Sequence, residues 1–231
     1  MRKSASLAAF LATALLLPSS DSIAQDAPTY RAGLKSFTIP LPSSELVEAG
    51  PDYRVLLEPL VPINNRLVAA FLQPADLDTL RSGPSAALGR YALVEIPRRV
   101  EFSEITPELF KQITDTIATQ FGAAVDASLK DQQDEANRRL KALGSSADIT
   151  FDKPVQLGTL FSKPDASGYG MIMPVSVGGK TKKMIMGMIV VHVQARVLLI
   201  YLYGEYKDQS SLDWIRTTDE HWADAILQAN H

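Results

Sequence analysis

The side chains able to do chemistry in this chain are few. Its 231 residues hold three histidines, His192, His221 and His231, and no cysteine. His221 stands in "DEHWAD", after Glu220 and three residues ahead of Asp224. On a helix that spacing puts an imidazole and a carboxylate on one face, as in a metal pair. The same residues also read as the polar flank of a helix beside Trp222. His192 shares alternate positions with Met184, Met186 and Met188 in an apolar run, the place of a core histidine whose ring is bonded to a neighbour. There is no HExxH pair, so the common zinc patterns are absent, and no metal or cofactor is expected.

A nucleophilic serine would need a strand-to-helix elbow with a histidine and an acid nearby. Neither "GYGMIM" nor "SVGGKT" supplies one. "VGGKT" lacks the first glycine of a phosphate-binding loop, and a hairpin turn accounts for it better. Lys180, Lys182 and Lys183 then decorate a solvated turn, with contact to an anionic surface as the other reading. No catalytic residue is assigned. Tyr201, Tyr203, Glu205 and Tyr206 are the one group with the composition of a pocket. Amphipathic tyrosines serve recognition, so these four are the candidate ligand or partner contacts. They are also ordinary strand residues.

The elements that must position these groups follow from periodicity. "MIMGMIVVHVQARVLLIYLY", Met184–Tyr203, is as long as a membrane span. His192, Gln194 and Arg196 interrupt it, and an arginine at a helix centre costs about 2.5–3.5 kcal/mol in a bilayer. Read with period two, it is two antiparallel strands joined at Gln194–Arg196, rich in β-branched and aromatic residues. Both faces of each strand are apolar, so the hairpin should be central and covered on both sides. Tyr169–Val177 should be a strand turned into it by Gly178-Gly179, and Pro154–Ser162 another. "SFTIPLP", "YRVLLEPL", "RLVAAFLQP" and "RYALVEI" read as short strands punctuated by prolines.

"TPELFKQITDTIATQFG" reads as a helix capped by Thr106, with Pro107 in its first turn. Leu109, Ile113, Ile117 and Phe121 form its stripe, and Gly122 can close or kink it. The charged segment 123–144 follows, with Asp134–Arg138 and Glu135–Arg139 as i,i+4 pairs. Val125, Leu129, Ala136, Leu140 and Leu143 make a thin apolar seam there. It is an exposed continuation or a partner-binding helix. The last helix is "SSLDWIRTTDEHWADAILQAN", capped by Ser210 or Ser211, with Leu212, Trp214, Ile215, Trp222 and Ile226 inward. Strands, helices, strands, helix is the order of an α+β fold with a mainly antiparallel sheet, helices on both faces.

The first residues read as an address. Arg2 and Lys3, an apolar run over about Leu7–Leu17, Pro18 and "SIA" are the layout of a secretory signal peptide cut between Ala24 and Gln25. The run is short for a span. Residues 25–231 would then form one α+β domain of 207 residues, with 21 basic and 25 acidic side chains. That mild acidity argues against a nucleic-acid binder, which would show a basic face. With no cysteine, an exported chain must be stabilised by its core. A bacterial periplasm is the expected compartment, with no transmembrane segment in the mature chain.

The hairpin strands running into a closing amphipathic helix, behind "SFTIPLP", resemble the Mog1/PsbP/DcrB-like group of small α/β/α sandwiches. The resemblance rests on element order, covers Thr150–Asn230 best, and carries no site residue across. It implies a non-catalytic binding or accessory role with a protein or small-molecule partner in the cell envelope. The alternative is an envelope hydrolase with an unrecognised site. An enzyme would gather titratable groups of shifted pKa in a cleft.

Overall fold

A computed structural model describes residues 28–81, 88–146 and 148–231. The expected signal peptide and its cleavage site lie outside the described residues.

The centre is the hairpin expected at Met184–Tyr203. Strand β9 (Lys180–Val193) pairs β10 (Arg196–Glu205) antiparallel from Val193↔Arg196 to Met184↔Glu205. The turn is Gln194-Ala195 alone, both at positive φ (48° and 58°), and Arg196 already belongs to β10. Such a turn usually takes glycine or asparagine. Here Ala195 O is fixed by two donors, Ile105 N at 3.0 Å and Arg196 Nη1 at 2.9 Å. Gly178 and Gly179, also at positive φ, turn β8 (Ala166–Val177) into β9.

Around this hairpin the sheet runs β3 (Val47–Glu48), β4 (Asn65–Leu72), β5 (Tyr91–Pro97), β10, β9, β8 and β6 (Ile149–Phe151). β7 (Val155–Lys163) also pairs with β8, and every pairing is antiparallel. The period-two reading assigns the faces. Ile185, Ile189, Val191, Leu198, Ile200 and Leu202 join the core under α4 (Gln209–Ala229) and the small hairpin of β1 (Thr29–Ala32) and β2 (Lys35–Thr38). Met186, Met188, Val190 and Val197 join the core under α3 (Pro107–Ala142). Leu67, Ala70, Leu72 and Leu93 continue that second face under α1 (Pro51–Leu57) and α2 (Pro74–Arg81). The fold is α+β, an antiparallel sheet covered by helices on both faces.

Several local expectations change. "YRVLLEPL" is not a strand: it is α1 followed by a 3-10 turn over Glu58–Leu60. Pro51 supplies the fixed φ of a first helical turn after Gly50. Tyr53, Leu56, Leu57 and Leu60 then fall on one side, at a spacing of three and four that a strand would split between faces. Helix α2 follows Gln73, where the sequence showed only the end of a strand. Segments 106–122 and 123–144 form one 36-residue helix, because Gly122 costs only about 1 kcal/mol in a helix and nothing else interrupts it. Its buried residue at the entry is Phe110 (1% exposed), and Leu109 is 40% exposed. The expected Asp134–Arg138 pair does not form: Lys130 takes Asp134, and Arg138 turns back to Glu135 at 2.6 Å. The cap of α4 is Asp208, whose carboxylate accepts from Ser210 N at 2.9 Å, in place of Ser210 or Ser211.

Candidate binding site

The four residues singled out in the sequence separate. Tyr201 and Tyr203 lie on the α3 side of β10, and Tyr203 stacks on Tyr91 of β5 with centroids 4.5 Å apart. Tyr201 follows at 6.3 Å from Tyr203. The three rings form a ladder at the junction of the two cores on that face. Burial pushes all three hydroxyls well above the usual tyrosine range. Glu205 is exposed at the strand end, 3.6 Å from Lys207. Tyr206 lies beyond β10 and packs against the core on the α4 side. The structure therefore joins Tyr201 to Tyr203 and adds Tyr91, which adjacent-strand pairing alone brings there.

The histidines are also placed. His192 ends β9 with its ring stacked on Phe110 at 5.2 Å, so its immediate partners come from α3 and not from the methionines of its strand. Its Nε2–H donates to Ile105 O at 2.7 Å, and its Nδ1 faces Asp165 Oδ1 at 3.0 Å. Both ring nitrogens are engaged, and the ring pins the entry of α3 to the β7–β8 turn. His221 is exposed on α4. Its neighbours Glu220 and Asp224 both bind Lys163 Nζ, at 3.1 and 2.7 Å, an acid–lysine clasp from α4 to β7. His231 borders a small polar hollow of about 180 Å³ shared with Asp165, His192 and Asn230.

Two acids are buried, one in the sheet and one on the helix packed against it. Glu95 on β5 is 1% exposed and accepts from Asn65 Nδ2 at 2.7 Å. Burial, helped by the nearby Glu58 charge, pushes its carboxyl up to about 8 against the bond from Asn65. Asp219 on α4 is fully enclosed, no group among the described residues bonds its carboxyl oxygens, and burial holds it far above the usual carboxylate range.

A concavity lies elsewhere, between α1, the turn after it and the last turns of α3. It encloses about 570 Å³, within the roughly 300–1,000 Å³ of small-molecule sites. Pro51, Val55, Pro59, Leu67, Ala142 and Leu143 give it an apolar lining, and Arg54, Glu58 and Arg139 are its charged groups. Val55 and Leu143 stand 61% and 43% exposed. Each arginine is held by one backbone carbonyl. A register shift between Leu67 and Ala69 leaves Val68 without a ladder partner, and Val68 O accepts from Arg54 Nη1 at 3.0 Å. Val61 O, just ahead of β4, accepts from Arg139 Nη1 at 2.7 Å. The same end of α3 is tied to β6 by Asn137, which bonds Ile149 in both directions at 2.7 and 2.8 Å. The charged half of α3 thus closes one wall of a cleft, and its seam residues Ala136 and Leu140 are buried.

No protein-family model and no curated protein matches the chain. It is similar to solved structures of the group that its element order resembles. One is the solution structure of cyanobacterial PsbP (CyanoP) from Synechocystis sp. PCC 6803, 13% identical over 80% of this chain and 83% of that one, with a TM-score of 0.38. Another is the Ran-binding protein Mog1p of Saccharomyces cerevisiae, 9% identical over 89% and 93%, with a TM-score of 0.27.

The residues of this chain suit holding better than bond-making. Glu95, whose protonation is shifted toward neutrality, is sealed in the sheet, while the open cleft presents aliphatic surface, two anchored guanidinium groups and Glu58. Reading Tyr53–Leu60 as a strand, and 123–144 as an exposed continuation or a partner-binding helix, leaves the cleft out of view. The available signals were Pro51 after Gly50 and Arg139 one turn ahead of Leu143.

Proposed function

We propose that this is an exported, non-catalytic binding or accessory protein of the bacterial cell envelope, processed between Ala24 and Gln25, which holds its ligand or partner in the cleft between α1 and the end of α3. One observation carries the binding role: an apolar cleft of about 570 Å³ into which two elements each present an arginine already fixed by a backbone carbonyl. Fixed side chains lose little further freedom when a ligand arrives, so their contacts convert efficiently into affinity. The signal-like start supports export. Among the described residues no helix is long and apolar enough to cross a membrane.

Two measurements test this. N-terminal sequencing of the protein from a periplasmic fraction should read from Gln25, and full-length protein in the membrane fraction would contradict export. Native mass spectrometry of the protein purified from envelope extract should show a bound species that Leu143→Asp loses while remaining folded. Equal loading of the variant would contradict the cleft.

A further inference from the structure

Within that reading, we propose that the cleft is built for an amphipathic monocarboxylate, a single acid head on an aliphatic body of the free fatty-acid class. The head is set by charge. Arg54 and Arg139 each spend one N–H on a carbonyl and have donors to spare, since a guanidinium carries five. Two acids stand nearby, Glu58 in the cleft lining itself and Glu135 one turn before Arg139. Glu58 lies 3.9 Å from Arg98, and Glu135 is held by Arg138 at 2.6 Å and is 4.0 Å from Arg139 Nε. A carboxylate that reaches either of these partly buried guanidinium groups gains charge-assisted hydrogen bonds that a neutral head cannot make.

The body is set by the lining. Pro51, Val55, Pro59, Leu67, Ala142 and Leu143 offer saturated carbon and no aromatic face. An acyl chain asks for nothing more. A peptide would bring one N–H and one C=O per residue, and burying these unpaired is costly. Beside Leu67, which pairs with Glu95 of β5, the next carbonyl of β4, Val68 O, is already taken by Arg54 Nη1.

Titration calorimetry of the mature protein with dodecanoate, dodecanol and acetate tests both halves. Dodecanoate should bind, dodecanol at least tenfold more weakly, and acetate not measurably. Arg54→Met and Arg139→Met, which keep an apolar stem, should each weaken dodecanoate at least tenfold and leave dodecanol unchanged. Arg54→Lys should recover part of the loss. If an arginine variant fails to fold, Leu143→Asp, at an exposed position, decides alone by abolishing dodecanoate binding. Dodecanol binding as tightly as dodecanoate, or arginine variants of native affinity, would overturn the proposal. If dodecanoate does not bind but an acidic apolar peptide does, and Leu143→Asp removes it, the ligand class is wrong and the cleft stands. If Leu143→Asp also leaves the envelope-derived species in place, the cleft falls with it.

Discussion

The carboxyl group of Asp219 on α4 fills the space that a side chain at Gly187 on β9 would occupy. A Cβ built on Gly187 overlaps Asp219 Oδ2, and Gly187 is paired on β8 with Gly170, itself covered by Leu160. The helix seats on the sheet through this gap, with Ile215, Trp222 and Ile226 buried around it and Trp222 Nε1 donating to Pro40 O at 2.8 Å. Close packing at one glycine thus sets the height of α4 above the most buried strands.

Gly187→Ala should therefore destabilise the fold by about 1–3 kcal/mol, the usual cost of overpacking a tight core. Asp219→Ala in the same chain should restore most of it, because the clash disappears. Denaturant midpoints of the two single variants and the double variant form the cycle. Additive effects would show that the two residues do not meet.

Asp219 and Glu95 make stability depend on pH in one direction. Below the ordinary carboxylate range each is protonated both folded and unfolded, and the full stability is present. Above it the unfolded chain ionises while the folded chain stays protonated. Stability then falls as pH rises, by up to ~1.4 kcal/mol per unit for each group. For Glu95 the fall continues until about pH 8. The native protein should be more stable at pH 5 than at pH 8, and Glu95→Gln with Asp219→Asn should flatten that difference. Denaturation midpoints at the two values check it; a native protein more stable at pH 8 would contradict it.

His192→Asp should place a carboxylate against Asp165 and the Ile105 carbonyl in place of a ring that serves both. An uncompensated charge at a buried site costs about 3–5 kcal/mol, a large share of a domain's roughly 5–15 kcal/mol. Soluble yield and thermal midpoint should both drop. A native midpoint would mean that the ring does not hold the entry of α3.

The charged half of α3 separates two kinds of substitution. Leu140 is 3% exposed, so Leu140→Glu should cost at least ~2 kcal/mol, as for other losses of a buried aliphatic side chain. Arg138 is exposed and, among the described residues, pairs with Glu135 of its own helix, so Arg138→Gln should leave the thermal midpoint unchanged. A folded Leu140→Glu monomer of native midpoint would return this segment to the surface.

The β9–β10 hairpin was legible because its two apolar faces leave only one answer once the polar interruption excludes a membrane span. The entry of α3 was legible from Thr106 and Pro107. What failed was local and ambiguous. In Tyr53–Leu60 a run of mixed residues suits strand or helix, and Pro51 decides it only if Gly50 is read as a cap. In 123–144 the apolar seam is thin because only Ala136 and Leu140 in it are buried, and polar bonds from Asn137 to Ile149 and from Gln133 to Phe151 hold the segment to β6. The candidate site was less legible still. Tyr201 and Tyr203 meet Tyr91 through strand pairing, and the cleft depends on carbonyls of Val61 and Val68 that no residue pattern displays.

The central claim is that the cleft of Val55, Leu67 and Leu143 receives the ligand. Methyl-resolved NMR of the mature protein during titration with envelope extract, and then with the purified bound species, tests it directly. The account predicts shifts confined to the methyl groups of Val55, Leu67, Ala142 and Leu143, with none at Leu199 or Met188 beside Tyr201 and Tyr203. Shifts centred on the tyrosine ladder, with the cleft methyl groups unmoved, would contradict it.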